Sequence, residues 1–326
     1  MVALAHLWML AAALALDAAV GDPDAVWRRL PHPVVLLGRL VGGLDLTLNR
    51  TRFWPGFRKA LGVLAVLVIA AVAAAIGFAV EYLFGLIPYG WIGTVIVAAI
   101  LLAGRSLHAH VRAVALAFAA GGLDAARIAV SRIVGRDPAS LDEAGVCRAA
   151  IESTAENFSD AVVAPALWFA LLGLPGMLAY KAISTADSMI GHMSPRYEQF
   201  GWASARLDDL VNIPASRLAG LLIALAAPAA GGSIPEAFRV MRRDSPGHHS
   251  PNAGWPEAAM AAALGLALLG PRRYRGVLTA APYLNAAGRR QATPDDILRA
   301  LRVYRAAWAL LFLFAAIAGG LVIAFA

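Results

Sequence analysis

A single cysteine, Cys147, is all that the 326 residues contain. An intrachain disulfide framework and a cysteine-built metal site are both excluded. Charge is scarce as well. Asp, Glu, Lys and Arg make up 15% of the chain, against roughly 25% in soluble domains. Lysine is nearly missing: of the 28 basic residues, only Lys59 and Lys181 are not arginine. That skew fits a coding bias toward Arg and Ala, so an individual Arg carries little information. The common nucleotide and hydrolase signatures are absent too. There is no Gly-x-x-x-x-Gly-Lys-Ser/Thr phosphate loop, no Gly-x-Gly-x-x-Gly fingerprint, no His-Glu-x-x-His zinc motif and no Gly-x-Ser-x-Gly elbow. Any ATP site must be built otherwise.

Apolar surface is abundant. Hydrophobic residues are 60% of the chain, more than one soluble core of this size can hide, whereas a bilayer absorbs it. A helix needs about 20 apolar residues to cross. Uncharged runs of that order lie at 1–16 (extending to Val20), 60–80, 82–104, 218–235 and 306–326. The first has no Lys or Arg ahead of it and reads as a retained span rather than a cleaved signal. Glu81 alone separates the second and third, with Pro88-Tyr89-Gly90 as a turn signal. The run 161–180 holds two Pro and two Gly, and 258–270 is short, so these two stay ambiguous between spans and buried or re-entrant helices. The expected fold is an all-α, polytopic transmembrane helix bundle in one domain, 1–326, with cytosol-facing polar loops and helices.

Charge sets the orientation. Residues 21–59 hold seven basic side chains, 105–160 hold six and 271–305 hold eight, whereas the link around Glu81 holds none. The positive-inside rule puts the three rich segments in the cytoplasm, and the Glu81 link and the N-terminus outside. The crossings between Asp160 and Pro271 must then be even in number, with two expected. The net charge of +7 suits anionic lipid headgroups and anionic substrates. No basic stripe with interleaved aromatics points to nucleic acid.

Four polar segments are candidates for chemistry. In 150–160, a helix would put Glu152, Glu156 and Asp160 on one stripe, where like charges repel unless a hard cation binds; a solvated face is the plainer alternative. In 180–192, Lys181, Ser184 and Ser188 share a helix face beside Asp187. Lys181 suits a phosphate as a point charge or simply snorkels to the interface. In 206–212, Arg206, Asp208 and Asp209 resemble a metal or phosphate site, with Asn212 four residues beyond Asp208; acids at a helix start are the alternative. In 248–257, Pro and Gly make a loop carrying His248, His249 and Asn252, with Trp255 placed to sit at the interface or stack on a ligand. Asp22, His32 and the Arg272–Arg275 cluster are lesser candidates.

Taken together, these blocks resemble one family. Gly21-Asp22-Pro23, Pro31-His32-Pro33-Val34 and Gly38-Arg39 fit it. So do Glu152-Ser153 with Glu156-Asn157 and Asp160, then Tyr180-Lys181-Ala182 with Asp187-Ser188-Met189-Ile190-Gly191. Phe200-Gly201-Trp202 through Arg206-Leu207-Asp208-Asp209 and Ser250-Pro251-Asn252-Ala253-Gly254-Trp255-Pro256-Glu257-Ala258 complete the series. The blocks run in order over nearly the whole chain and resemble the CobD/CbiB family, the adenosylcobinamide-phosphate synthases of cobalamin biosynthesis.

The resemblance implies a multi-pass enzyme of the inner membrane with its active face in the cytoplasm. It would join adenosylcobyric acid by an amide bond to aminopropanol phosphate or a related amine, with ATP and Mg²⁺. Neighbours among the membrane enzymes of nucleotide-loop assembly are also implied. A carboxylate does not react with an amine until it is activated, here as an acyl phosphate. On this reading Glu152, Glu156, Asp160, Lys181, Asp187 and His249 are the catalytic candidates. Asn157, Ser184, Arg206, Asn252 and Trp255 are candidates for binding substrate or phosphate, and Glu156, Asp160, Asp187, Asp208 and Asp209 for binding metal. The rival readings are a membrane transporter and an AmpE-like sensor without catalysis.

Overall fold

The computed structural model describes residues 2–135, 138–274, 277–279 and 281–325. The helices follow the apolar runs. They are α1 (Val2–Val20), α2 (Asp24–Trp27), α3 (Pro33–Leu48), α4 (Pro55–Gly85), α5 (Trp91–Leu101), α6 (Gly104–Val130) and α7 (Glu143–Phe158). A π-helical turn at Ser159–Val163 leads into α8 (Ala164–Ala186), and a second at Asp187–Gly191 ends it. Then come α9 (Trp202–Leu225), α10 (Ile234–Asp244), α11 (Gly254–Leu264) and α12 (Pro294–Phe325). Among the described residues, four short strands break the all-helical pattern. β1 (Leu268–Leu269) pairs antiparallel with β4 (Tyr283–Leu284), and β2 (Arg272–Tyr274) with β3 (Val277–Thr279).

Four stretches among the described residues are long and apolar enough to cross a membrane: Pro55–Gly85, Trp91–Val130, Glu143–Gly191 and Pro294–Val322. His6–Val20 is a shorter apolar helix. The run 218–235 is not one helix. Helix α9 stops at Leu225, a 3₁₀ turn follows at Ala227–Ala230, and Gly231 takes φ +80° before α10 starts. The run 258–270 is divided as well: α11 is buried along its length and ends at Gly265, which has φ +67°.

The chain forms two compact units. The first comprises Met1–Ala103, Ala164–Asn212 and Phe314–Ala326; the second comprises Gly104–Val163 and Ile213–Leu313.

In the first unit, α4 packs along α8. Ala65, Ile69 and Ala73 of α4 are buried while Leu64, Leu67 and Phe78 are exposed, so an apolar outer face remains for lipid. Small residues permit the close approach. A Cβ on Gly62 would lie 2.0 Å from the Phe200 carbonyl oxygen, and one on Gly77 would lie 2.6 Å from that of Leu174. Helix α8 is broken at Gly173, which has φ +67° and is followed by Pro175. Glu81, expected as an external link between two spans, lies inside α4. One of its oxygens accepts the Leu174 N–H (2.7 Å) and the other is 2.7 Å from His6 Nε2. The charge that was to end the helix is held by partners, and α4 continues to Gly85.

In the second unit, α11 packs against α7 and α10, and α6 packs against α7. Asp244 at the end of α10 joins it to the loop after β4: its carboxylate takes two bonds from Arg243 (2.6 and 2.9 Å) and the Asn285 N–H (2.7 Å).

Candidate functional site

In the second unit a cavity of about 260 Å³ is lined by Glu152, Ser153, Glu156, His248, His249 and Glu257, among others. Helix α7 is regular through Phe158, so Glu152 and Glu156 fall one turn apart on its cavity face. Glu152 is buried, and its Oε1 accepts the Leu269 N–H of β1 (2.8 Å). Glu156 is exposed. Asp160 is not among the residues lining this cavity. It sits in the π turn, whose wider spacing breaks the 3.6-residue repeat that the three-carboxylate stripe requires. Asn157 turns back on its own helix and donates to Ser153 O (2.9 Å) and Oγ (3.0 Å).

The opposite wall comes from the turn after α10 and the first turn of α11. His248 is 8% exposed and Glu257 5%, with His248 Nε2 3.7 Å from Glu257 Oε2. The Ser250 N–H donates to His248 Nδ1 (3.0 Å), and the Ser250 carbonyl oxygen is farther, at 3.2 Å. His249 is exposed, with its ring centroid 4.3 Å from that of His248. The sequence names both histidines as candidates, prefers His249 for the proton and gives Glu257 no separate role. The signal was present in the Pro246-Gly247 turn and in an acid in the first turn of the next helix. Two adjacent histidines in a loop do not reveal which one turns inward.

Asn252 and Trp255 are taken up by Arg217. The Asn252 carboxamide oxygen accepts from Arg217 (2.8 Å) and Ser216 (3.0 Å), and the guanidinium lies 4.9 Å from the Trp255 ring centroid. They fasten α9 to the start of α11 and the loop before it.

The first unit gathers a second group. Asp187, Asp208 and Asp209 lie close enough for their charges to repel. Asp208 Oδ2 accepts from Asn212 (2.9 Å), whose own oxygen accepts from the Tyr180 hydroxyl (2.9 Å). Asp208 Oδ1 is buried with no hydrogen-bond partner among the described residues. Burial first, and the Asp187 charge second, push the Asp208 carboxyl up to about 7, against the Asn212 hydrogen bond. Asp209 is raised by burial and restrained by Arg206, 3.6 Å away. Arg206 and Asp209 also line a cavity of about 390 Å³ with Lys59 and Trp202. Lys181 and Ser184 are half-buried on α8.

Among the described residues, no group of three or more His, Cys, Asp or Glu side chains is placed to hold a metal ion. A hard cation such as Mg²⁺ needs less, because it keeps waters and phosphate oxygens and takes one or two carboxylates. The orphaned Asp208 oxygen amid two further acids fits that demand. At the N-terminal end, His32 Nδ1 accepts the Val34 N–H (3.2 Å) and caps α3, with Asp22 3.7 Å from the other ring nitrogen. The Arg272–Arg275 cluster falls partly outside the described residues.

Long apolar helices carrying recessed groups of acids and histidines define a multi-pass membrane-helical protein with polar sites. The family described as CobD/Cbib protein matches residues 10–304. Cobalamin biosynthesis protein CobD of a Sinorhizobium species is 52% identical over 301 residues, covering 91% of this chain and 93% of that one. The protein of the same description from Rhizobium meliloti is 52% identical over 316 residues (96% and 97%). That from Rhodobacter capsulatus is 48% identical over 305 residues (92% and 93%). No solved structure matches. The chain belongs to the CobD/CbiB family of cobalamin biosynthesis proteins.

Proposed function

We propose that this protein joins a carboxylate of adenosylcobyric acid to the amine of aminopropanol phosphate, with consumption of ATP, and releases adenosylcobinamide phosphate. The observation that carries the reading is the cavity that gathers Glu152, Glu156, His248, His249 and Glu257 in a member of this family. Amide formation needs a group that takes protons from the amine, and carboxylates beside a buried histidine are suited to that. All three reactants bear negative charge, so cationic help is also needed.

Asp208, with one of its neighbours Asp187 and Asp209, is the proposed Mg²⁺ ligand, and a bound Mg²⁺ would neutralise phosphate charge. Lys181 and Arg206 are the proposed phosphate contacts, since a lysine acts as a point charge and an arginine as a fork. Glu152 and Glu156 are kept for the cavity, where they hold an ammonium by charge. The proposed setting is the inner membrane with the reaction on its cytoplasmic side.

The test is incubation of reconstituted protein with adenosylcobyric acid, Mg²⁺ and either aminopropanol phosphate or ethanolamine phosphate, with and without ATP. The corrinoid is then weighed by mass spectrometry. Amide product is expected only with ATP, and Glu156→Gln is expected to lower it by about 10-fold or more. Wild-type protein that forms no amide sinks the reading. Corrinoid uptake into proteoliposomes without ATP would favour a transporter instead.

A further inference from the structure

We infer that Glu257 is the base that takes the proton from the amine in the ligation proposed above, and that His248 positions its carboxylate; this inference rests on that reading. Each group lining the cavity is in a different state. Glu152 has one oxygen bonded to the Leu269 backbone. Glu156 and His249 are exposed. Glu257 is buried beside a buried histidine.

The histidine's tautomer assigns the roles. Nδ1 lies 3.0 Å from the Ser250 N and 3.2 Å from the Ser250 carbonyl oxygen; taking the nearer contact, we assign Nδ1 as the acceptor and the ring proton to Nε2, the nitrogen nearest Glu257. A ring in that state has no lone pair free at Nε2 to take a second proton. It can donate toward the carboxylate and hold it in place. The proton acceptor of the pair is therefore the carboxylate.

A primary ammonium has no lone pair and must lose a proton before it attacks. One proton passes to Glu257. The nitrogen then attacks an acyl carbon that phosphoryl transfer from a nucleoside triphosphate has activated. The C–N bond forms and the C–O bond to phosphate breaks. The second nitrogen proton leaves with the phosphate, and the proton on Glu257 passes to water. The acidic cavity wall draws in the ammonium end of the amine.

The test uses full-length protein in detergent with Glu257→Gln, Glu257→Asp, His248→Ala and His248→Gln. Glu257→Gln is expected to lower the product rate by about 100-fold or more, with Glu257→Asp between it and wild type. His248→Ala is expected to lower kcat by about 10-fold with the KM for the amine unchanged. His248→Gln, whose amide N–H reaches the place of Nε2–H, is expected to recover most of that loss.

A readout without turnover is calorimetric binding of aminopropanol phosphate in the absence of nucleotide, expected about 10-fold weaker in Glu257→Gln. Rates and amine affinities of Glu257→Gln within twofold of wild type overturn the assignment, and His248→Gln as impaired as His248→Ala removes the positioning role. Should Glu257→Gln not survive purification, Glu257→Asp decides by the same two measurements. If wild-type protein makes no amide at all, the ligase reading fails separately, and equal amine affinities in wild type and variant would overturn the pocket as well.

Discussion

Asp208 holds Asn212 with one oxygen and leaves the other buried without a hydrogen bond among the described residues. Its carboxyl is pushed up to about 7 by burial and by Asp187. A carboxyl raised in the folded state binds its proton more tightly there than in the unfolded chain. Its stabilisation is complete below the ordinary carboxylate range and is lost as pH rises toward 7. Asp208→Asn keeps the shape and removes the charge. The variant is expected to gain on wild type between pH 5 and pH 8 by on the order of 2 kcal/mol, read from thermal melts in detergent. Mg²⁺ at pH 8 should raise the wild-type midpoint and leave that of Asp208→Asn in place. Parallel melting curves for the two proteins at all pH values, with and without Mg²⁺, would contradict both the buried charge and the cation.

Legibility differs even among these few residues. The relation of Asp208 to Asn212 was readable because α9 is regular there, and the same holds for Glu152 and Glu156 on α7. Asp160 lies in the π turn that follows Phe158, and nothing in the local sequence forces such a turn. The Tyr180 bond to Asn212 spans 32 residues and has no local signature.

At the scale of elements, the broken helix α8 depends on α4. The break at Gly173 frees the Leu174 N–H, which Glu81 accepts, and His6 braces the other carboxylate oxygen. A Cβ on Gly173 would lie 2.4 Å from Glu81 Oε2, so the carboxylate occupies the space that the glycine leaves. Glu81→Leu strands a backbone N–H and a buried imidazole, and is expected to cost about 2 kcal/mol or more. Glu81→Gln keeps an acceptor and is expected to cost roughly half of that. Equal melting midpoints for Glu81→Leu and wild type would show that the break holds without the clamp.

The apolar run at 60–80 lies within α4 and that at 306–325 within α12, because hydrophobicity over 20 residues needs no partner to be read. The end of α4 was not readable, since a glutamate ends an apolar run in sequence but continues a helix once it is hydrogen-bonded. The run 218–235 was misread as one element because composition hides its Pro228 turn and the positive φ at Gly231.

At the scale of the whole molecule, the positive-inside rule ties the two Arg-rich segments 105–160 and 271–305 together through the parity of the crossings between them. The stretch Glu143–Gly191 is long and apolar enough to cross, yet α8 is interrupted at Gly173. At about 1.5 Å per residue, the apolar part before the break, residues 161–172, covers about 18 Å, and the part after it, 174–186, about 20 Å, with the more polar helix α7 running straight into the first. Neither alone spans a core of about 30 Å. A helix broken in this way can enter and leave on one side, which keeps the parity even and satisfies the positive-inside rule for both segments.

Cys147 makes the experiment simple, because Cys147→Ala removes the only thiol. Single cysteines are then placed at Thr51, Tyr89, Ser140 and Gln291, all exposed. An impermeant maleimide on intact cells should label only the variant at Tyr89, in the turn between α4 and α5, and should reach the other three after the inner face is opened. Labelling of the Ser140 and Gln291 variants from opposite sides would mean an odd number of crossings. A cytoplasmic reaction served by both Arg-rich segments would then be impossible, because one of the two would face away from the nucleotide.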